Sequence, residues 1–259
     1  MDLVGLRIEG PIGIITLQRG EKRNALSAAM VTDIGRALDA VRNNDAVRVV
    51  VLRGDGPAFC AGADLAYLQQ ITENSPMENL ADSTHLMQML QSIVDLPKPV
   101  IAMVHGPAIA GGCGLATVCD LIVAGREHAQ FGYSEVRIGF IPAIVMVYLL
   151  RKIGDTQARR LVLTAENISA DEALRIGLIT HVVDDEVLEQ EVMDLAGRVA
   201  KNSASALALS KSMLSSLHGM SLDAGLHYAA AMNATARQTE DCKQGIARFL
   251  GTTKGPAST

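Results

Sequence analysis

Tryptophan is absent from the sequence, and aromatic residues make up only 3% of its 259 positions. The core must therefore be aliphatic, built mainly from the alanine, valine, isoleucine, leucine and methionine within the 49% of apolar residues. An excess of positive charge is also lacking, because the formal net charge is −5. A nucleic-acid footprint needs a basic stripe, so we predict no nucleic-acid partner.

Long apolar runs and paired cysteines are missing as well. The longest apolar run, residues 141–150, is about half of a membrane span, so we predict a buried helix there and no membrane partner. The four cysteines show no Cys-x-x-Cys spacing, which predicts reduced thiols in a cytoplasmic protein. The amino terminus has no charged segment followed by a long apolar stretch, so we expect no signal peptide.

Several well-known site motifs do not occur. No G-x-G-x-x-G follows the first strand and no phosphate-binding G-x-x-x-x-G-K-[ST] is present, which argues against a nucleotide site. The histidines form no His-x-x-x-His pair and have no cysteine at ligand spacing, so we predict no metal site. There is no G-x-S-x-G, and Cys113 stays open as a nucleophile although no histidine neighbours it.

Apolar patterns predict a mixed α/β protein. Strand, glycine loop and helix occur twice, about 50 residues apart, as in βα architectures. We predict an α/β core over residues 1–185 and a helical C-terminal oligomerisation region over residues 186–259. The predicted strands are residues 3–9, 13–17, 47–52, 100–104, 121–124 and 178–183, and the predicted helices before residue 186 include 28–41, 77–95 and 169–177.

Two glycine-rich loops, AFCAGADL (58–65) and GPAIAGGCGL (106–115), each follow a buried strand. Small residues continue for more positions than a tight turn needs, so backbone N–H groups can approach an oxygen closely. Two such loops make an oxyanion hole, which suits a carbonyl oxygen that gains charge during a reaction. Glu135 lies in the otherwise apolar stretch 129–143, where partial desolvation would raise its pKa and make it a usable base.

Together these segments resemble the crotonase (enoyl-CoA hydratase/isomerase) family. The resemblance rests on NALS, AFCAGADL, PKPVIAMVHGPAIAGGCGLATVCD, AQFGYSEVRIGFIP and LTAENISADEALRIGLITHVV, in this order. It implies a spiral of ββα units followed by a helical region that builds a homotrimer, often paired as a dimer of trimers. It also implies acyl-CoA substrates, so CoA enters as part of the thioester and we predict no separate cofactor.

The same resemblance assigns the site. The backbone N–H groups of Ala63 and Gly111 would hold the thioester oxygen, and Glu135 would be the acid/base group. The basic side chain of Lys22 would meet the CoA phosphates, although Arg19 and Arg23 could serve instead. The full set of CoA-binding residues that the resemblance implies is Lys22, Ala61, Asp64 and Leu65.

One position departs from the best-known hydratases, in which a glutamate lies on each side of the bound water. The first of these falls on Gly114, which carries no acid. The absence of a side chain at Gly114 predicts room for a larger acyl group or an extra water. Glu73 could swing in to replace the missing carboxylate. The sequence then resembles the single-glutamate type, which includes methylglutaconyl-CoA hydratases. A 3,2-enoyl-CoA isomerase that uses Glu135 alone and a non-catalytic family member remain as alternatives.

Overall fold

Nine strands occur in residues 2–252, the part of the chain that the computed structural model describes. They are β1 (Val4–Glu9), β2 (Ile12–Leu17), β3 (Val49–Gly54), β4 (Val100–Val104), β5 (Ala108–Ile109), β6 (Leu121–Gly125), β7 (Gln130–Gly132), β8 (Asn167–Ser169) and β9 (His181–Val183). The main sheet has the order β1-β2-β3-β4-β6-β9, and a small sheet has the order β5-β7-β8. In the main sheet β1 and β2 are antiparallel, and all further neighbours are parallel.

The helices surround this sheet and continue beyond it. In the same described residues they are α1 (Ala28–Arg42), α2 (Leu65–Ile71), α3 (Pro76–Val94), α4 (Gly111–Thr117), α5 (Ala143–Thr164), α6 (Ala170–Arg175), α7 (Leu188–Ala200), α8 (Ala204–Leu217), α9 (Leu222–Gln238) and α10 (Glu240–Thr252). A short 3-10 turn, Glu135–Ile138, lies between β7 and α5.

Both faces of the inner strands β2, β3, β4 and β6 are buried, which explains why these strands are apolar without alternation, whereas the edge strand β1 is largely exposed. Along β3, Val50 and Leu52 face the cluster that includes α1 and α3, while Val49 and Val51 face a second cluster. The second cluster is closed by one face of α7, whose buried residues are Leu188, Val192, Ala196 and Ala200. Helix α7 thus packs on the sheet, whereas our sequence analysis assigned it to the helical C-terminal region.

Helices α8, α9 and α10 pack on one another and bury little of themselves. In their described part only Lys211 and Gly225 are buried. Large apolar side chains on these helices are instead exposed, among them Leu214, Leu222, Leu226 and Ile246. The predicted region 186–259 therefore combines one core helix with three helices whose apolar side chains face outward, while residues 253–259 lie outside the described chain.

The boundaries of most predicted elements agree with the structure. Strand 100–104 is β4, and helix 28–41 is α1, whose N-cap Ser27 accepts a hydrogen bond from the Met30 N–H at 3.3 Å. The prediction of a buried helix over residues 141–150 was wrong in part. The helix begins at Ala143 and packs only one stripe, so Val147 is 52% exposed. No helix within residues 2–252 has both the length and the apolar character that spanning a bilayer requires.

The Lys211 side chain fixes α8 to the core. Its ammonium donates to the Asp120 carboxylate at 2.6 Å, to the Ile93 carbonyl at 2.9 Å and to the Lys98 carbonyl at 3.1 Å. The same Asp120 oxygen accepts the Val100 N–H at 2.7 Å, so this ion pair connects α8 to the start of β4. A buried ammonium with three acceptors is a specific anchor, because its removal leaves an uncompensated carboxylate.

We predict that Lys211→Met lowers the free energy of unfolding by about 2 kcal/mol, because it removes a buried ammonium from a partly exposed carboxylate and from two carbonyls. The measurement is urea unfolding followed by circular dichroism at fixed protein concentration. Lys243→Met is the matched control, since Lys243 pairs with Glu240 at the surface and its loss should change stability by less than about 0.5 kcal/mol. Equal changes in the two variants would show that Lys211 is not an anchor.

Candidate active site

Three loops meet at one edge of the main sheet, because β2, β3 and β4 are parallel and end on the same side. We call residues 18–27 the β2 loop, residues 55–64 the β3 loop and residues 105–110 the β4 loop. The β3 and β4 loops are joined by hydrogen bonds from the Cys60 N–H to the Pro107 carbonyl and from the Ile109 N–H to the Cys60 carbonyl. The β3 loop is joined to the β2 loop by the Leu26 N–H, which donates to the Gly62 carbonyl at 2.7 Å.

The fully buried side chain of Asn24 ties the β2 loop to the β3 loop a second time. Its amide nitrogen donates to the carbonyls of Asp55, Ala58 and Phe59, at 2.8, 2.9 and 3.2 Å. Its amide oxygen accepts the Arg19 N–H at 2.9 Å. Asn24 has a φ of 54°, a left-handed conformation that asparagine tolerates better than most residues. The side chain thus satisfies buried carbonyls that irregular loops would otherwise leave without donors.

Glycines allow the β3 loop to approach the start of α4. A Cβ on Gly112 would lie 2.1 Å from the Cys60 carbonyl oxygen, so no side chain fits there. Gly62 has a φ of +90°, and a Cβ on it would lie 2.8 Å from the Ala110 Cβ and 3.3 Å from the Gly111 nitrogen. The backbone around residue 62 therefore lies directly against the first residue of α4.

Two backbone N–H groups are left free at this contact. The Leu26 N–H donates to the Gly62 carbonyl, and the Leu26 carbonyl accepts the Asp64 N–H. The Ala63 N–H, which lies between these two bonds, therefore points away from Leu26. The Gly111 N–H opens α4, where the first turn has no intrahelical acceptor. Within residues 2–252 no protein oxygen accepts a hydrogen bond from either group. Both are available to an oxygen atom of a ligand.

Ala110 holds the Gly111 N–H in its direction through an unusual backbone. It has φ 52° and ψ −128°, a conformation that L-residues rarely adopt. Its own N–H donates to the Gly132 carbonyl at 2.7 Å, which fixes the strained residue against β7. Strain of this kind persists only where surrounding contacts enforce it, and it is common at functional sites.

Glu135 is the buried acid next to α4. Glu135 is the first residue of the 3-10 turn that comes after β7, and it is only 7% exposed. The Oε2 atom is buried and has no hydrogen-bond partner within the described chain. Burial raises the pKa of this carboxyl above its ordinary value of 4.5, because water no longer stabilises the charge. The raised pKa makes Glu135 a stronger base than an ordinary carboxylate, which suits it to take up and return a proton.

The elements that carry Glu135 and Gly111 are tied together. The Tyr133 hydroxyl and the Thr117 hydroxyl are 2.8 Å apart, and the Thr117 hydroxyl donates to the Cys113 carbonyl at 2.8 Å. The charge of Glu135 also contributes to raising the pKa of the Cys113 thiol, behind the larger effect of burial. Residues 133 and 135, which follow β7, are thus linked to α4 through Thr117 and Cys113.

The predicted CoA-binding residues lie along the rim of the same loops. Lys22 is exposed in the 3-10 turn of the β2 loop, and Leu65 is exposed at the start of α2. The Ala61 N–H donates to the Arg23 carbonyl at 2.9 Å. The Asp64 carboxylate caps α2 by accepting the N–H groups of the two residues that follow Leu65, so it also has a structural role.

Arg19 is the one of the three candidate cations that is already engaged within the protein. Its guanidinium lies 2.7 Å from the Asp64 carboxylate. Burial alone would raise the pKa of Asp64, but the hydrogen bond and charge of Arg19 and the two backbone donors outweigh it and lower the pKa. Lys22 and Arg23 are exposed in the same β2 loop.

Two expectations about the departure at Gly114, and the candidate nucleophile Cys113, can be compared with the structure. The expected free space is not there, because a Cβ on Gly114 would lie 2.0 Å from Cγ1 of Val145, which fills it. Glu73 lies exposed in the turn between α2 and α3. Cys113 is fully buried and its thiol pKa is raised to about 12, which opposes a role as thiolate nucleophile.

The sequence analysis missed several residues that shape the site. Asn24 was part of the quoted NALS segment, but nothing in its letters shows that its amide would reach three carbonyls. The contact of Val145 with Gly114 and the hydrogen bond between Thr117 and Tyr133 depend on long-range packing, which apolar periodicity does not specify. The pairing of Arg19 with Asp64 joins two loops far apart in the sequence, and opposite charges at such separations carry no pairing signal.

Comparison with known proteins assigns this site to a family. The Enoyl-CoA hydratase/isomerase family matches residues 7–256. A Thermus thermophilus protein, provisionally named an enoyl-CoA hydratase, is 43% identical over 93% of this chain and 95% of its own. The crotonyl-CoA hydratase of Syntrophomonas wolfei is 34% identical over 95% and 94%. An enoyl-CoA hydratase structure from Mycobacterium smegmatis has a TM-score of 0.91 at 31% identity, covering 98% of both chains.

The chain therefore belongs to the enoyl-CoA hydratase/isomerase family, and the predicted crotonase-like α/β fold is confirmed. The prediction of an enzyme of this class is confirmed at the level of the family. The roles of Glu135, Ala63, Gly111 and the CoA-binding residues stay predictions.

We predict that Gly112→Ala lowers the free energy of unfolding by at least about 2 kcal/mol, because the new methyl group meets the Cys60 carbonyl and forces the loops apart. The neighbouring Gly111→Ala is the control. Its Cβ would make an ordinary 3.5 Å contact with Leu26, so stability should change by less than about 0.5 kcal/mol. The free energy of unfolding of both variants is measured by chemical unfolding. Similar decreases in the two variants would show that the contact between Gly112 and Cys60 can adjust to a methyl group.

Proposed function

We propose that this enzyme adds water across the 2,3 double bond of an enoyl-CoA thioester and uses Glu135 as its only acid/base group. The observation that carries the proposal is the buried Glu135 carboxylate, whose Oε2 has no partner within residues 2–252. The free N–H groups of Ala63 and Gly111 supply an oxyanion hole for the thioester oxygen. Relatives named as hydratases support the reaction class.

The reaction needs one carboxylate that acts twice. Glu135 takes a proton from water while the water oxygen forms a bond to carbon 3. The π electrons move through carbon 2 to the thioester oxygen, and the two N–H groups stabilise the enolate. Glu135, now a carboxylic acid, returns the proton to carbon 2 as the enolate collapses. A raised pKa serves both steps, because the group must accept and donate within one turnover.

A 3,2-enoyl-CoA isomerase is the second candidate, and the apolar surroundings of Gly114 favour it. Moving a double bond from carbon 3 to carbon 2 needs one base and no water. Glu135 would remove a proton from carbon 2 to give a dienolate, whose oxygen the same two N–H groups would stabilise, and would return the proton to carbon 4. Val145, rather than a second carboxylate, lies next to Gly114, so the site has no further acid there to hold water.

We further propose that the CoA portion follows the rim formed by the β2 and β3 loops. Lys22 would meet its phosphates, and the backbone from Ala61 to Asp64 together with the exposed Leu65 side chain would contact the rest. This arrangement agrees with the pairing of Arg19 to Asp64, which leaves the outer cation available.

We predict that Glu135→Gln lowers kcat by about a thousandfold, since an amide cannot exchange the proton. The wild-type kcat/KM should fall on the acidic side as Glu135 becomes protonated. Because burial raises the pKa of Glu135, the midpoint of this fall should lie above pH 4.5. Proton NMR with crotonyl-CoA and with a 3-enoyl-CoA provides the assay.

The products separate the alternatives. A 3-hydroxyacyl-CoA formed from crotonyl-CoA supports the hydratase, whereas conversion of only the 3-enoyl-CoA supports the isomerase. The exposed Glu127→Gln serves as the control and should retain wild-type turnover. Turnover that persists in Glu135→Gln would remove Glu135 from the mechanism, and no turnover in the wild type would support a non-catalytic member.

We also propose that α8–α10 build a homotrimer or a dimer of trimers. Several of their leucine and isoleucine side chains are exposed, and copies of the same chain would cover this apolar surface.

We predict that Leu226→Lys shifts the protein towards a smaller species, because it places a charge in the proposed interface. Leu226 is 62% exposed in the single chain, so the substitution has little to disrupt within one protomer. Light scattering after size exclusion measures the mass. Ile8→Lys on β1 is the control and should leave the mass unchanged. A monomeric wild type, or a Leu226→Lys variant of wild-type mass, would contradict this interface.

A further inference from the structure

Val145 occupies the space that a side chain at position 114 would need. An ideal Cβ on Gly114 would lie 2.0 Å from Val145 Cγ1 and 2.6 Å from Val145 Cβ. Val145 is only 4% exposed, so its isopropyl group is packed against this glycine. The second distance shows that even an alanine at 145 would be too close to a methyl group at 114. The two positions share one volume, which only one of them can fill.

This shared volume lies at the end of α4 that carries the free Gly111 N–H. Helices α4 and α5 run side by side in the same direction, because Gly114 meets Val145 and the Lys152 ammonium reaches the Thr117 carbonyl at 2.8 Å. Their amino-terminal ends are therefore neighbours. Gly114 lies three residues after Gly111 and so shares its helix face, and a Cβ there would tilt towards the helix start.

The surroundings combine one acid with an apolar wall. Glu135 lies in the turn that leads into α5, and its charge influences the Cys113 thiol next to Gly114. Val145 presents two methyl groups where the missing side chain at 114 would begin. In the proposed acyl-CoA site, an acyl chain whose thioester oxygen is bound at Gly111 would meet this wall three residues further along α4.

We propose that Val145 is a specificity-determining residue, which limits the size of the substituent that an enoyl-CoA can carry at carbon 3. This inference rests on the proposed acyl-CoA site. In this arrangement Gly114 provides no additional room, and the size of the acyl pocket is set from α5. Removal of the Val145 side chain should open the pocket, and a methyl group at position 114 should fill it again.

The test uses three variants. Val145→Gly opens the shared volume, and the double variant Gly114→Ala/Val145→Gly refills it from the other helix. Leu149→Ala is the matched control, because Leu149 is buried one turn further along α5, towards the carboxyl end of α4. Calorimetry measures the Kd of butyryl-CoA and of 3-methylbutyryl-CoA, two saturated esters that differ by one methyl group at carbon 3. Turnover is measured with crotonyl-CoA and 3-methylcrotonyl-CoA.

In Val145→Gly, the ratio of Kd for the unbranched ester to Kd for the branched ester should rise by about tenfold, the usual effect of one methyl group in a tight pocket. The double variant should return this ratio towards the wild-type value, and Leu149→Ala should leave it unchanged. A ratio that is the same in wild type and Val145→Gly, or a double variant that stays open, would overturn the role of Val145.

Binding and turnover separate this inference from the proposed function. If the ratio of Kd values shifts in Val145→Gly but the wild-type protein does not hydrate crotonyl-CoA, the role of Val145 is supported and the hydratase is rejected. Wild-type hydration with an unshifted ratio would keep the hydratase and reject Val145. Failure of the wild type to bind either ester would reject the acyl-CoA site and the role of Val145 together. Thermal unfolding of each variant establishes that it is folded, and the double variant retains the test if Val145→Gly is unstable.

Discussion

The close contact between the Cys60 carbonyl and Gly112 is the constraint on which the rest of the site depends. A carbonyl oxygen that approaches a helix so closely leaves no volume for any side chain at position 112. The contact brings the backbone next to Gly62 against the first residue of α4, so the free Ala63 and Gly111 N–H groups come from adjoining segments. Asn24 and the strained Ala110 hold the two sides in place. Preorganised donors of this kind stabilise a developing charge without reorganising during the reaction.

The burial of Glu135 is a cost to stability that its proposed acid/base role would explain. The folded protein binds a proton at this group more readily than the unfolded chain does, because the pKa is raised. The contribution of Glu135 to the free energy of unfolding is therefore greatest below its ordinary pKa of 4.5. It is lost as the pH rises through the raised pKa of the folded protein. The ionised form of Glu135 is a buried carboxylate with one oxygen that no described residue satisfies. A group that only stabilised the fold would be expected to have partners for both oxygens.

Much of this architecture could be predicted from local patterns. Strand β4 and helix α1 follow directly from a buried apolar run and from an amphipathic repeat behind a serine cap. The close approach of the glycine loops could be predicted because runs of small residues allow it. The burial of Glu135 could be predicted because it is a lone acid within an apolar stretch. The positions of Asn24 and Val145 could not, since each depends on segments far away in the sequence that only the folded chain brings together. The exposed face of α5 was missed for the same reason, because a run of apolar letters does not show which side is packed.

Gly114 shows most clearly that a glycine in the sequence does not imply an empty space in the structure. Glycine at this position suggests empty space, yet the neighbouring helix supplies an isopropyl group to the same volume. The protein thus has an apolar contact where a second acid could otherwise stand, and Glu135 remains the buried carboxylate of this cluster. Such an environment favours chemistry in which one group both removes and returns a proton, and it excludes any mechanism that needs a second acid at position 114 while Val145 is in place. The number of acids and the shape of the acyl pocket are therefore coupled through one contact between α4 and α5.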